Sequence, residues 1–241
     1  MREVRFDHIA LAVARMADAT PLLVGVLGGQ PAYGAPSGAY RFGQWRFANG
    51  ARLEVLEPLG ADGFLHRFLA ARGPGIHHVT FKVPNLREAC ERAAALGYTI
   101  VGYRDDNPAW KEAFLHPKQA LGIVVQLAES GPGDGSASLR RWVPPPGPPD
   151  PPPPVEVLGL RMRARSRERV RTQWEALLHG QATETSEGAL LYRWPRSPLR
   201  LVVEIDPEAE EGPIAVEVRS DRDLPLPGPG GLDALFQPLG G

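Results

Sequence analysis

Cysteine, lysine, long apolar runs and surplus charge are all scarce in this 241-residue chain, and each scarcity excludes something. A single cysteine, Cys90, rules out an intrachain disulfide and any multi-cysteine metal cluster, so a bound metal has to be held by His, Asp, Glu or Gln. No segment approaches the roughly 18 apolar residues needed to span a bilayer, and no membrane partner is expected. Lysine and arginine together number 27 against 28 acids, a formal net charge of −1, which removes the basic surplus expected of a nucleic-acid binder. The only lysines are Lys82, Lys111 and Lys118; beside 27 glycines and 26 prolines, this preference for arginine reads as the codon bias of a GC-rich genome. The first residues, Met-Arg-Glu-Val-Arg-Phe-Asp, lack the apolar stretch of a secretory signal, and a cytoplasmic protein is expected.

What is present is a globular composition, 43% apolar and 23% charged, on a length that suits one or two domains. Residues 130–154 interrupt it. There Gly, Ser and Asp give way to Pro144-Pro145-Pro146-Gly147-Pro148-Pro149-Asp150 and four more prolines, which no helix or central strand tolerates. As an extended polyproline stretch, residues 144–154 would separate two domains by roughly 34 Å. The expected organisation is a domain over 1–129, a Pro/Gly-rich linker over 130–154, a second module over 155–223 and a Pro/Gly-rich tail over 224–241.

The first domain repeats itself. Phe6-Asp7-His8-Ile9-Ala10-Leu11-Ala12-Val13 parallels Ile76-His77-His78-Val79-Thr80-Phe81-Lys82-Val83 at an offset of 70, and each strand-like stretch leads into a helical one that ends at Leu-Gly. Asn85 as N-cap with Glu88 three residues on, and an apolar stripe of Leu86, Ala89, Cys90, Ala93 and Leu96, mark the second helix and make Cys90 a core residue. Strand-like runs follow in each copy, so the unit is β-α-β-β-β. A short helix from Phe64 to Arg72, closed by Gly73-Pro74, joins the copies.

Polar residues in strand interiors require a reason, because burying one without a partner costs on the order of 1–3 kcal/mol. Four stand at equivalent places: His8 and His78 in the first strands, Glu54 and Gln126 in the last. Two imidazoles, a carboxylate and an amide oxygen suit one divalent first-row metal ion with positions left open to substrate. His77, next to His78, is expected to point to the opposite face, and His116 to shape a turn.

The segments "FDHIALAV", "LEVLEPLG", "GIHHVTFKV", "FLHPK" and "GIVVQLAE", in this order, resemble the vicinal-oxygen-chelate superfamily, which includes glyoxalase I, methylmalonyl-CoA epimerase, extradiol dioxygenases and bleomycin-resistance proteins. The likeness covers about residues 5–129 and is nearest to the epimerase. It implies an α+β fold of paired β-α-β-β-β modules and metal ligands at His8, Glu54, His78 and Gln126, with Co, Mn, Zn, Ni or Fe as the ion. It also implies proton transfer next to a metal-bound carbonyl, as in an epimerase, another isomerase or a lyase. The epimerase pattern has glutamate in the last strand where this chain has Gln126, which ligates through oxygen and takes no proton. Glu112, at the start of the strand leading to Phe114-Leu115-His116-Pro117, is the candidate catalytic replacement, against the alternative of an edge glutamate facing water. The expected partners are a small-molecule substrate, acyl-CoA among the candidates, and a second copy of the chain in a homodimer. Two other readings stay open: an Fe(II) ring-cleaving-type dioxygenase built on His8, His78 and Glu54, and a non-catalytic binding protein of the bleomycin-resistance kind.

Residues 155–223 read as a third, degenerate copy without the donors. Gly159 stands where His8 would, and aligning Pro207 with Pro58 puts Val203 where Glu54 would stand. After Asp223 no further element is expected.

Overall fold

The computed structural model describes residues 3–131, 142–226 and 231–239. The strands are β1 (Arg5–Ala12), β2 (Gln30–Ser37), β3 (Tyr40–Arg46), β4 (Arg52–Pro58), β5 (Gly75–Lys82), β6 (Ile100–Arg104), β7 (Trp110–Leu115) and β8 (Val124–Ser130), then β9 (Glu156–Ala164), β10 (Gln181–Glu184), β11 (Leu190–Arg193), β12 (Arg200–Ile205), β13 (Gly212–Arg219) and β14 (Phe236–Leu239). The first eight form one sheet in the order β2-β3-β4-β1-β5-β8-β7-β6; the other six form a second, β10-β11-β12-β9-β13-β14. Helices α1 (Phe64–Arg72), α2 (Leu86–Ala95) and α3 (Arg167–Arg171) accompany them, with helical segments at Met16–Ala19, Pro21–Val26 and Thr172–Leu177. The architecture is α+β, paired β-α-β-β-β modules followed by a degenerate one.

The ladders verify the repeat. In β1 the residue two beyond His8, Ala10, pairs with Glu54 of β4; in β5 the residue two beyond His78, Thr80, pairs with Gln126 of β8. Both first strands pair in parallel with the last strand of their own copy and are almost wholly buried, as strands covered on both faces are. The Asn85 cap forms as expected, its side chain accepting from the Glu88 N–H. In the third copy Arg161, two beyond Gly159, pairs with Val202, so the backbone register puts Val202 rather than Val203 at the place of Glu54.

The described chain divides into two compact units, each assembled from separate stretches: 1–8, 78–135 and 159–214 in one, and 9–77, 136–158 and 215–241 in the other. The core of the first unit is aromatic. Phe6 stacks on Phe81 with ring centroids 4.8 Å apart, Trp194 meets Phe81 at 4.8 Å and Phe6 at 5.7 Å, and its indole N–H donates to the Leu178 carbonyl. In the second unit Ala10, Ala12, Leu56 and Leu65 pack with Tyr40, Phe42, Phe68 and Leu69, while Met16, Leu23, Trp45 and Leu53 are fully buried.

The second unit also takes in the described part of the proline-rich stretch, which does not span open space as a spacer. The Val155 N–H donates to the Leu27 carbonyl at 3.0 Å, the Ala48 N–H to the Val155 carbonyl at 2.9 Å, and Arg222 to the Pro153 carbonyl at 3.1 Å. The Trp142 ring sits edge-on to Trp45 and so close over Gly43 that a Cβ there would come within 2.4 Å of it. Residues 132–141 of the expected linker lie outside the described residues, as do 227–230, 240 and 241 of the expected tail. The tail is not featureless: β14 pairs with β13 in parallel, Val216 opposite Phe236. Among the described residues no helix is long and apolar enough to cross a membrane.

Candidate metal centre

His8 and His78 occupy matched positions on the first strands of the two repeats, and Glu54 and Gln126 matched positions on the last, because the period-two alternation of a strand sends residues that match in register to the same face. His8, Glu54 and His78 each offer one ligand atom, and the three atoms lie within 4.8 Å of one another. All three residues are buried, and the two imidazole centroids are 6.0 Å apart. Buried imidazoles and a buried carboxylate at this spacing are the donor chemistry of a divalent first-row cation, so the residues present fit such an ion.

Gln126 is buried beside them and tied in by hydrogen bonds. Thr80 Oγ1 lies 3.0 Å from His8 Nε2 and donates to Gln126 Oε1 at 2.6 Å; Gln126 Nε2 donates to Glu112 Oε2 at 2.7 Å. Glu112 is buried, not an edge residue facing water. Its Oε2 also accepts from the Trp110 indole N–H at 3.0 Å, and Arg104 meets its Oε1. Lys82 lies over the Trp110 ring, 3.5 Å from its centroid.

The other site groups are set by neighbouring side chains on the same or an adjoining strand. Gln44, opposite Glu54 on β3, donates through Nε2 to Glu54 Oε2 at 2.8 Å. Asp7 Oδ2 stands 2.9 Å from His8 Nδ1, and its Oδ1 accepts from Arg5 at 2.7 Å. A carboxylate on the far nitrogen of a histidine holds the ring so that the other nitrogen faces the site. His77 packs on Phe68 and Phe64 of α1, with centroids 4.9 and 5.4 Å away; burial pushes its pKa down to about 4, with Glu54 opposing that shift. The Cys90 thiol is pushed up to about 11, first by burial and then by Glu91, as suits a core residue. His116 Nδ1 accepts from the Lys118 N–H in the turn after β7.

Asp7, Gln44 and Thr80 are the site neighbours that motif reading passes over. Thr80 was within reach of the pattern, since it lies two residues beyond His78 on the same strand face. Gln44 requires the β3–β4 register, which composition does not provide.

The chain is similar to several known proteins. The sequence model of the Glyoxalase/Bleomycin resistance protein/Dioxygenase superfamily matches residues 7–114. The uncharacterised YqjC protein of Bacillus subtilis (strain 168) is 30% identical over 128 residues, covering 52% of this chain and 91% of that protein. The mitochondrial methylmalonyl-CoA epimerase of Homo sapiens is 27% identical over 134 residues, covering 52% of this chain and 74% of its own. A hypothetical protein from Staphylococcus aureus superposes with a TM-score of 0.63 over 98% of this chain and all of its own; at 11% identity the likeness is one of fold, and it takes in both sheets. With its repeat, its match to the family's sequence model and its 30% identity to YqjC over 91% of that protein, the chain belongs to the glyoxalase/bleomycin resistance protein/dioxygenase superfamily.

Proposed function

We propose that this chain is a divalent-metal-dependent enzyme of the glyoxalase and methylmalonyl-CoA epimerase type, acting by proton transfer next to a carbonyl group of an acyl-CoA or similar small acid. The observation that carries the reading is the buried His8–Glu54–His78 group in a member of this superfamily. These three residues are the proposed ligands, with Gln126 as a fourth through its oxygen. A cation of the Co, Mn, Zn, Ni or Fe class held there would supply Lewis-acid polarisation of a substrate carbonyl, which acidifies the adjoining C–H. Gln44 keeps Glu54 in place through the 2.8 Å hydrogen bond. Glu112 is the proposed proton-transfer group through Oε1. Its Oε2 accepts from Gln126 and Trp110, and its Oε1 meets Arg104, whose side chain is 60% exposed. Residues 1–129 form the proposed catalytic domain, residues 155–223 a structural module, and a second copy of the chain a proposed partner.

Elemental analysis of protein purified without added metal, wild type beside a His8→Ala, His78→Ala double variant, is the first test: one equivalent in the wild type and none in the variant is expected. The metal-loaded wild type should then exchange the α-proton of methylmalonyl-CoA for deuterium, read by mass spectrometry. Absence of metal after reloading would favour a non-catalytic binding protein. The same two-histidine, one-carboxylate set also suits Fe(II), and oxygen uptake by iron-loaded protein would favour a dioxygenase.

A further inference from the structure

We infer that Glu112 decides which end of the Gln126 amide faces the metal centre, and that the two repeats carry the same amide–carboxylate pair with the roles exchanged between strands. In the first repeat the last strand bears the carboxylate, Glu54, and the strand before it the amide, Gln44. In the second repeat the last strand bears the amide, Gln126, and the strand before it the carboxylate, Glu112. The pairs are of nearly equal length, 2.8 and 2.7 Å, and all four side chains are buried. They differ in route: Gln44 stands directly opposite Glu54, while Gln126 stands opposite Phe114 and reaches the next same-face position, Glu112.

The exchange matters because a carboxylate ligates through either oxygen, whereas an amide has one ligating end and one that only donates. Turned by half a rotation, Gln126 would set its oxygen against Glu112 Oε2, two acceptors at hydrogen-bond distance with no proton between them. A buried arrangement of that kind is strongly disfavoured. With Nε2 on Glu112, Gln126 Oε1 faces Thr80 Oγ1 at 2.6 Å, the same hydroxyl that lies 3.0 Å from His8 Nε2. Glu112 is itself held by Arg104 and by the Trp110 indole N–H, so the orientation passes from β6 through β7 to β8. Glu112 is in this respect a positioning residue, distinct from its proposed part in proton transfer. The donor set then presents one charged oxygen, from Glu54, and one neutral oxygen, from Gln126.

The inference rests on the metal-centre reading above, and Mn2+ binding to the full chain, with free Mn2+ read by electron paramagnetic resonance, separates the two. Wild type is compared with Glu112→Gln, with the exchanged pair Glu112→Gln, Gln126→Glu, and with the His8→Ala, His78→Ala control. Glu112→Gln leaves all four proposed ligands in place yet is expected to weaken Mn2+ binding about 10- to 100-fold, the size of effect seen when a ligand loses its orienting partner. The exchanged pair restores one amide facing one carboxylate and is expected to return affinity to within about threefold of wild type. Binding by wild type that is unchanged in Glu112→Gln, or lost in the exchanged pair, overturns the inference while leaving the metal centre standing. Wild type that binds no Mn2+, like the control, overturns the metal centre and the inference with it. Should Glu112→Gln alone fail to fold by near-ultraviolet circular dichroism, Glu112→Leu decides: a folded protein with the expected weakening supports the inference and a folded protein that binds Mn2+ as wild type does overturns it.

Discussion

The eight-stranded and six-stranded sheets order their first strands on one scheme, and they differ at two matched places that bear on the metal centre. On β1 of the first sheet stands His8; at the corresponding place on β9 stands Gly159, whose φ of +152° and close approach to the Arg200 carbonyl leave no room for a side chain. Opposite them, Glu54 on β4 has its counterpart in Val202 on β12. Around Val202 the polar residues have turned to one another: Arg161 and Arg163 both reach Glu204. The scaffold therefore does not need the donors. It folds with a glycine and a valine at the places of His8 and Glu54, and the cost of burying that histidine and that glutamate in the first sheet has to be explained by something other than folding.

The sharpest way to break this comparison is to strip the first sheet of its distinguishing groups. His8→Ala with His78→Ala should abolish metal binding entirely while Glu204→Gln on the second sheet leaves it unchanged, both read by elemental analysis; metal retained without the histidines would mean that the contrast between the sheets has no chemical content. The converse is to put a side chain where the second sheet has none. Gly159→Ala forces a Cβ to within 1.9 Å of the Arg200 oxygen at a backbone angle that L-residues rarely adopt, and should cost more than about 3 kcal/mol in urea unfolding. A stable Gly159→Ala protein would show that β9 yields easily and that its glycine is incidental.

Acid sensitivity distinguishes the sheets more gently. The strands of the second sheet contain no histidine, while β5 of the first carries His77, held neutral between Phe64 and Phe68. Its pKa of about 4 lies below the ordinary 6.5, so as pH falls through 6.5 the unfolded chain takes up the proton first and stability is lost progressively towards pH 4. The loss attributable to this group is about 3 kcal/mol at the acid end, and His77→Leu should flatten the unfolding profile over that window; an unaltered profile would assign the acid loss elsewhere. Smallest of all, Glu204→Gln should change stability by only about 0.5–1 kcal/mol, because its arginine partners are partly solvated.

Much of the first sheet was legible because its signals are periodic. The offset of 70 between His8 and His78 survives as ladder register, and the Asn85–Glu88 box caps α2. The elements that escaped are those whose composition contradicts their structure. β2 contains Pro31 and Pro36 and exists because it is an edge strand, where a missing N–H is tolerated; β14 lies inside a Pro- and Gly-rich stretch and is a strand because β13 offers it a partner. At the candidate site the divide is similar. Residues with matched repeat positions, His8, Glu54, His78 and Gln126, were visible from spacing. Gln44 and the burial of Glu112 depend on which strands lie side by side, whereas Asp7 and Thr80 stand on the histidines' own strands, one residue before His8 and two beyond His78.

The proline-rich stretch has a consequence for how the gene can be cut. Trp142 lies on Gly43 and Trp45, Pro148 beside Gly25, and the Val155 backbone is hydrogen-bonded to Leu27 and Ala48, so a fragment ending at residue 129 would shed part of its own wall. Its newly bared tryptophan and leucine surface would invite self-association, and any such aggregation would report on the missing brace and not on the catalytic competence of the first 129 residues. Extending the fragment through Val155 would restore this brace but still leave out Trp194, whose ring packs on Phe6 and Phe81, so the whole chain is the unit to express.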